Sequence, residues 1–265
     1  MMRRTWSWSR LALAGVVVLA VLPPLAVLLF AFSTRWDRGL LPEQATWAWM
    51  AELVRAPRVQ TAVVQTLALS FASAVLTLLV GATATIVARL VAPRVTAVLD
   101  ALSLLPYAIP PVVIAIGALE LFVGRWGGWL GLRVVYVVVV APLLFPLLHK
   151  TLGAAMRQLD VVPLMEAAHT LGASDGFLLR RVLLPLLAPA LVASLLLCWV
   201  TAAMEFAIAN LLLGGSIEML QPLMNGMRSV NGHLSAALVV LSFAVIAAMG
   251  MLVEGLMAWN TRRNS

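Results

Sequence analysis

Six stretches of this chain are apolar and long enough to cross a bilayer, and that restricts the fold more than any other feature. About 20 helical residues, each rising about 1.5 Å, cover the roughly 30 Å of hydrocarbon. The stretches are Leu11–Phe32, Ala62–Ala88, Ala101–Val123, Val134–Leu152, Leu186–Leu213 and Leu234–Trp259. In lipid every backbone N–H and C=O must pair within the protein, so only helices or a closed barrel can span. The alternating pattern of barrel strands is absent, so the expected fold is an all-α membrane protein with six transmembrane helices. Of the 265 residues, 63% are hydrophobic and 11% are charged. Soluble domains carry about 25% charged residues, so little of this chain is left for an aqueous domain.

The net charge of +7 needs no nucleic-acid partner. Arginines at span ends, facing cytoplasm and anionic lipid, account for it. With the N-terminus inside, Arg3, Arg4, Arg10, Arg89, Arg94, Lys150, Arg157, Arg180, Arg181, Arg262 and Arg263 are cytoplasmic. Arg35, Arg38, Arg55, Arg58, Arg125, Arg133 and Arg228 are outside. The excess favours both termini in the cytoplasm. The first apolar run exceeds the 7–15 residues of a cleaved signal peptide and reads as a retained anchor. This divides the chain into an anchor and outer interfacial segment (1–60), a membrane body (61–259) with a polar loop at 153–185, and a tail (260–265). In the outer segment Trp36, Trp47 and Trp49 suit the headgroup region, with a short interfacial helix around Trp47–Val54. Cys198 is the single cysteine; it falls in an apolar run and reads as a small buried residue.

The longest organised polar segment lies between the fourth and fifth runs: EAAHTLGASDGFLLRRVLLP, Glu166 to Pro185. Asp160 can cap a helix with Pro163 in its first turn. Leu164, Ala167, Ala168 and Leu171 then make one apolar face, with Glu166, His169 and Thr170 off it. Gly172 is placed to end that helix in the left-handed region. Ser174 or Asp175 starts a second helix carrying Arg180 and Arg181. A mere connector needs only a few polar residues; this is a ledge.

Glu166-Ala167-Ala168, three residues, Gly172, nine residues and Val182-Leu183-Leu184-Pro185 resembles the EAA loop of ABC importer permeases, the binding-protein-dependent inner-membrane components. Val182 stands where that family usually has isoleucine. Thr66 to Leu90, with Gly81 and Arg89, resembles the usual second-span pattern of these permeases, while LPYAIPPVVIAIGAL at Leu105–Leu119 and MLQPLMNGM at Met219–Met227 resemble the polyamine, iron(III), aminoalkylphosphonate and molybdate-type branch. The resemblance implies the type I importer (MetI-like) fold in a bacterial inner membrane. It also implies that Leu164, Glu166, Ala167, Ala168, Leu171, Gly172, Val182 and Pro185 couple the chain to a cytoplasmic ABC ATPase, present in two copies. A second permease subunit, identical or related, and a periplasmic or lipid-anchored solute-binding protein are the other implied partners.

Glu205 lies about 20 residues beyond Pro185, hence roughly 30 Å along a continuous helix. A carboxylate at that depth is costly unless it faces a partner, cavity or pore, so Glu205 is a candidate for the solute pathway or for a hydrogen bond to a neighbouring helix. Asn210 follows it. Pro106, Pro110 and Pro111 break the third span, which is tolerated only where protein or water satisfies the freed carbonyls; pathway lining and a packing kink are both open there. Asp100, Glu120 and Glu254 lie near span ends, within reach of water. His149 and His233 sit at the interfaces without metal-ligand spacing, and no cofactor is expected. GRWGGWLGL, Gly124–Leu132, reads as a tight outer hairpin. No Walker-type phosphate loop occurs, so the chain is not expected to hydrolyse ATP. Neither the inverted repeat of an ion-coupled secondary transporter nor the buried polar cluster of an intramembrane enzyme is visible. The branch resemblance implies a small charged or polar solute, of polyamine, aminoalkylphosphonate or iron(III) type.

Overall fold

The computed structural model is all-helical apart from one isolated β-bridge, Ser33 to Ala45, and describes every residue except 1, 37, 38, 40, 92, 126–130, 264 and 265. The expected hairpin at Gly124–Leu132 falls largely outside these residues. In chain order the helices are α1 (Met2–Ala31), α2 (Ala48–Arg55), α3 (Pro57–Thr77), α4 (Thr83–Val91), α5 (Pro93–Leu102), α6 (Leu105–Ala108) and α7 (Pro111–Ala118). There follow α8 (Leu132–Gln158), α9 (Val161–Thr170), α10 (Asp175–Leu178), α11 (Leu184–Ala203), α12 (Leu220–Arg228) and α13 (Gly232–Arg263). Wider π turns at Leu78–Ala82, Leu119–Arg125, Leu179–Leu183 and Ala209–Leu213 join or extend them.

Among the described residues, five helical stretches are long and apolar enough to span: Arg10–Ala31, Pro57–Leu90, Leu132–Gln158, Asp175–Ala203 and Gly232–Met251. A sixth is a broken pair, Arg94–Ala108 and Pro111–Phe122, bent by 89°. The third span is therefore an elbow. Ile109 is extended, Pro110 caps α7 and Pro111 opens it, because the proline rings remove two amides and forbid a continuous helix. The fifth span also departs from the sequence reading. α11 ends at Ala203, and the expected run to Leu213 is interrupted at Met204–Phe206 before helix resumes.

Two compact units are resolved by the packing: residues 1–61 with 223–247, and residues 62–222 with 248–265. In the first, none of the apolar window of α1 is buried. The chain beyond α1 is tied back by Thr46 N–H to Phe32 O (2.8 Å) and Thr34 N–H to Gln44 O (3.0 Å). The His233 ring stacks on Phe30 at 4.0 Å and on Trp49 at 5.7 Å. Its Nδ1 lies 2.9 Å from Phe30 O, an atom that can only accept, so Nδ1 carries the proton. Trp49 Nε1 donates to Ser33 O (2.9 Å), whereas Trp47 is 74% exposed, as an interfacial residue should be.

The second unit is organised around α8, which packs along α11. Val135, Tyr136, Val139, Leu144, Leu148, Leu152 and Met156 form its buried face. Between apolar helices in lipid there is little hydrophobic gain, so close approach through small residues holds the bundle. Ala74, Gly81, Ala82, Ala115, Ala118, Ser194 and Ala202 are buried accordingly. Gly81 is required by contact: a Cβ there would lie 2.9 Å from Phe145 of α8. Buried hydroxyls are satisfied on the preceding turn, as Ser73 on Leu69 O (2.9 Å), and across helices, as Thr77 on Ala141 O (3.0 Å).

A ledge between two membrane helices as candidate functional site

α8 leaves the bundle through Leu159 and Asp160. Asp160 stands at the start of α9 as expected, but its backbone is left-handed (φ 43°) and its side chain makes no capping bond. The turn is made by the backbone instead. The face of α9 toward the bundle is Val161, Met165 and Ala168, at i, i+4 and i+7. The apolar stripe read from the sequence is thus split: Ala168 turns inward, while Leu164 (37% exposed), Ala167 and Leu171 (88% exposed) face out.

The end of α9 is closed by Gly172, whose φ is +81°. Gly172 N–H donates to His169 O (2.9 Å) and Ala173 N–H to Ala168 O (3.2 Å), the paired bonds of a Schellman turn. Nothing lies within 4 Å of a Cβ built on Gly172, so backbone conformation alone calls for glycine. His169 Nε2 lies 3.2 Å from Asp175 Oδ1 and ties the two sides of the turn. Ser174 precedes α10 without a side-chain cap. Leu178 and Leu183 are buried, Val182 is half-buried, and Arg180, Arg181 and Pro185 are exposed. Glu166, His169 and Asp175 rim a cavity of about 510 Å³ whose other walls include Ile86 and Leu90 of α4. The ledge thus presents an apolar edge beside an acidic and histidine-bearing hollow.

Glu205 sits in the interruption after α11. Its Oε1 accepts from Ile208 N–H, and its Oε2 accepts from Ile208 and Ala209 N–H, all at 3.0 Å. These are the orphan amides of a helix start, so the carboxylate caps the returning helix; its bonds are local rather than to a neighbouring helix. Asn210 is exposed, and its carbonyl crowds Gly214 so closely that no Cβ fits there. Pro106 lines an apolar cavity of about 440 Å³ with Thr77, Pro142 and Phe145. Pro110 and Pro111 lie exposed at the elbow. No hydrogen bond among the described residues joins Glu205 or Asn210 to these prolines.

One polar cluster escaped the sequence reading. His149 is buried in the bundle, 2% exposed. Its Nδ1 meets Thr85 Oγ1 (2.9 Å) and its Nε2 meets Asp100 Oδ1 (2.7 Å), so α4, α5 and α8 are bolted together. The partners are 64 and 49 residues away in sequence, and no local pattern marks such a contact.

Residues 82–265 match the family described as binding-protein-dependent transport system inner membrane component. The chain is 31% identical to the molybdenum transport system permease protein ModB of Mycobacterium bovis, across 92% of this chain and 91% of that one. It is 27% identical to the spermidine/putrescine transport system permease protein PotC of Haemophilus influenzae, across 85% and 92% respectively. Its fold is similar to a chain of a bacterial ABC transporter involved in the import of the acidic polysaccharide alginate, with TM-score 0.65, 14% identity and coverage of 95% and 96%. The EAA-type ledge, the bundle and these likenesses agree: the chain belongs to the binding-protein-dependent inner-membrane permeases of ABC importers.

Proposed function

We propose that this permease forms half of a solute pathway and that the ledge Val161–Leu183 docks on a cytoplasmic ABC ATPase. The observation that carries the reading is the outward apolar edge of α9. Leu171, 88% exposed beside the Gly172 turn, and Leu164, 37% exposed, lie on one helix among polar residues, and a grouped apolar edge with a polar rim is what marks a protein contact. In this reading both termini are cytoplasmic, two such permeases pair, and a separate subunit hydrolyses ATP. Closure of two ATPases pushes two ledges and rocks the bundles between inward-open and outward-open states. A solute-binding protein delivers cargo to the outer face.

The solute class is small and charged or polar. Glu205 bears on it less directly than its charge suggests, because its oxygens already hold the amides of Ile208 and Ala209. We infer that it shapes the break in the pathway-side helix and contributes field rather than free acceptors. Relatives named for polyamine and for molybdenum transport fit a scaffold whose selectivity is supplied largely by the binding protein.

The test is co-purification. Leu171→Glu places a charge on the docking edge without touching the bundle. It should abolish ATPase retention and uptake while membrane abundance stays near wild type; full retention of the ATPase rules the docking reading out.

A further inference from the structure

A second cavity, about 520 Å³, opens where α4, α5 and the end of α8 meet the start of α9; Arg89, Thr96, Asp100, Arg157, Asp160 and Val162 are among its walls. Arg89 lies against Gly153, where a Cβ would come within 2.8 Å of Nη2, so glycine leaves the room its guanidinium occupies. Arg89 Nε is buried and has no acceptor among the described residues. Neither Arg89 nor Arg157 forms an ion pair among those residues, although Asp100 shares the cavity; Asp100 Oδ1 is instead held by His149. Two guanidinium groups therefore share one hollow with two carboxylates, with no direct ion pair between them among the described residues.

The first turn of α9 adds to this. Val161 and Val162 supply amides that have no partner within the helix, and Pro163 supplies none. The positive end of the helix favours an anion. Asp100 and Asp160 make the same cavity unsuited to an anion alone. The inventory is two cations, two carboxylates and helix amides, which fits a ligand carrying both charges.

We propose that this cavity binds a phosphoethanolamine group, with the phosphate on Arg89, Arg157 and the first turn of α9 and the ammonium on Asp100 and Asp160. Guanidinium forks match phosphate oxygens in pairs, and a primary ammonium offers three donors to carboxylates. Two sources carry the group: the headgroup of phosphatidylethanolamine and a free phosphoethanolamine ester. Bound, it ties α4 to the start of the ledge. The inference is independent of which solute crosses the protein.

The full chain, with the subunits that co-purify with it, is placed in nanodiscs of phosphatidylcholine, whose quaternary ammonium lacks N–H donors. Melting temperature is read after inclusion of phosphatidylethanolamine, after addition of free O-phosphoethanolamine, and with phosphatidylglycerol or inorganic phosphate as anion-only arms. A rise in either of the first two arms that exceeds the anion-only arms supports the site, and the responding arm identifies the source. Arg157→Gln should abolish that rise and Asp160→Asn should reduce it; both side chains are exposed, so neither substitution removes a side chain from the packed interior. No rise in either arm, a rise equalled by the anion-only arms, or a rise untouched by Arg157→Gln overturns the proposal.

Discussion

The helix break at Gly172 and the one at Glu205 do the same job by opposite means. At Gly172 the chain turns in an exposed ledge, and left-handed backbone brings Gly172 and Ala173 amides onto the last carbonyls of α9. At Met204–Phe206 the break lies within an apolar run, and a carboxylate takes the amides that open the next segment. The first turn is exposed, and water can complete it; at the second, Ile208 and Ala209 are buried in the fold, so their amides need an acceptor from the chain itself. An exposed break can thus rest on conformation, whereas one whose amides are buried needs a built-in acceptor.

Removing that acceptor should be the most damaging change. Glu205→Ala strands the Ile208 and Ala209 amides, each worth about 1–3 kcal/mol when buried without an acceptor. The melting temperature in detergent should fall by several degrees, and Glu205→Gln, which keeps one carbonyl oxygen, should recover part of the loss. If Glu205→Ala melts like wild type, water completes this break too and the contrast collapses. Gly172→Val comes next. A β-branched residue at φ +81° is strained by about 1–2 kcal/mol, so the turn should open and uptake and ATPase retention fall at normal membrane abundance. Gly172→Asn, which tolerates the left-handed region, should be milder. Full uptake by the valine variant would show that this turn does not depend on conformation. The smallest effect belongs to His169→Ala. Its partner Asp175 is 88% exposed, and such surface pairs are worth about 0–1 kcal/mol, so thermal melting should barely move; a large loss would mean that the Gly172 turn leans on charge as the Glu205 break does.

What could be read from the sequence follows the range of each interaction. Length and apolarity gave the spans because membrane crossing depends on local composition. The ledge was legible because Pro163, Gly172 and the spacing of Leu164 and Leu171 act within one or two turns. The inward partners of α9, Val161 and Met165, were not, since the stripe had two apolar sides and only packing chooses between them. The 89° elbow was signalled as a break by Pro110 and Pro111, yet its angle depends on neighbours. The interruption at Met204–Phe206 carries no glycine or proline at all; its only mark was a carboxylate in the wrong solvent. The bolt of Thr85, His149 and Asp100 was invisible because its members come from three separate helices.

The burial of Cys198 has a practical consequence. Its thiol points at Leu144 O across the interface of α8 and α11, 3.7 Å away and shut off from solvent. Thiol reagents need an accessible thiolate, so the native chain carries its own blank. Cysteines introduced at Gln44 or His169, both exposed, can report which side of the membrane each faces without any prior substitution of the natural residue. The orientation of the protein, and with it the side on which its ledge waits, is open to direct chemical reading in the otherwise unaltered chain.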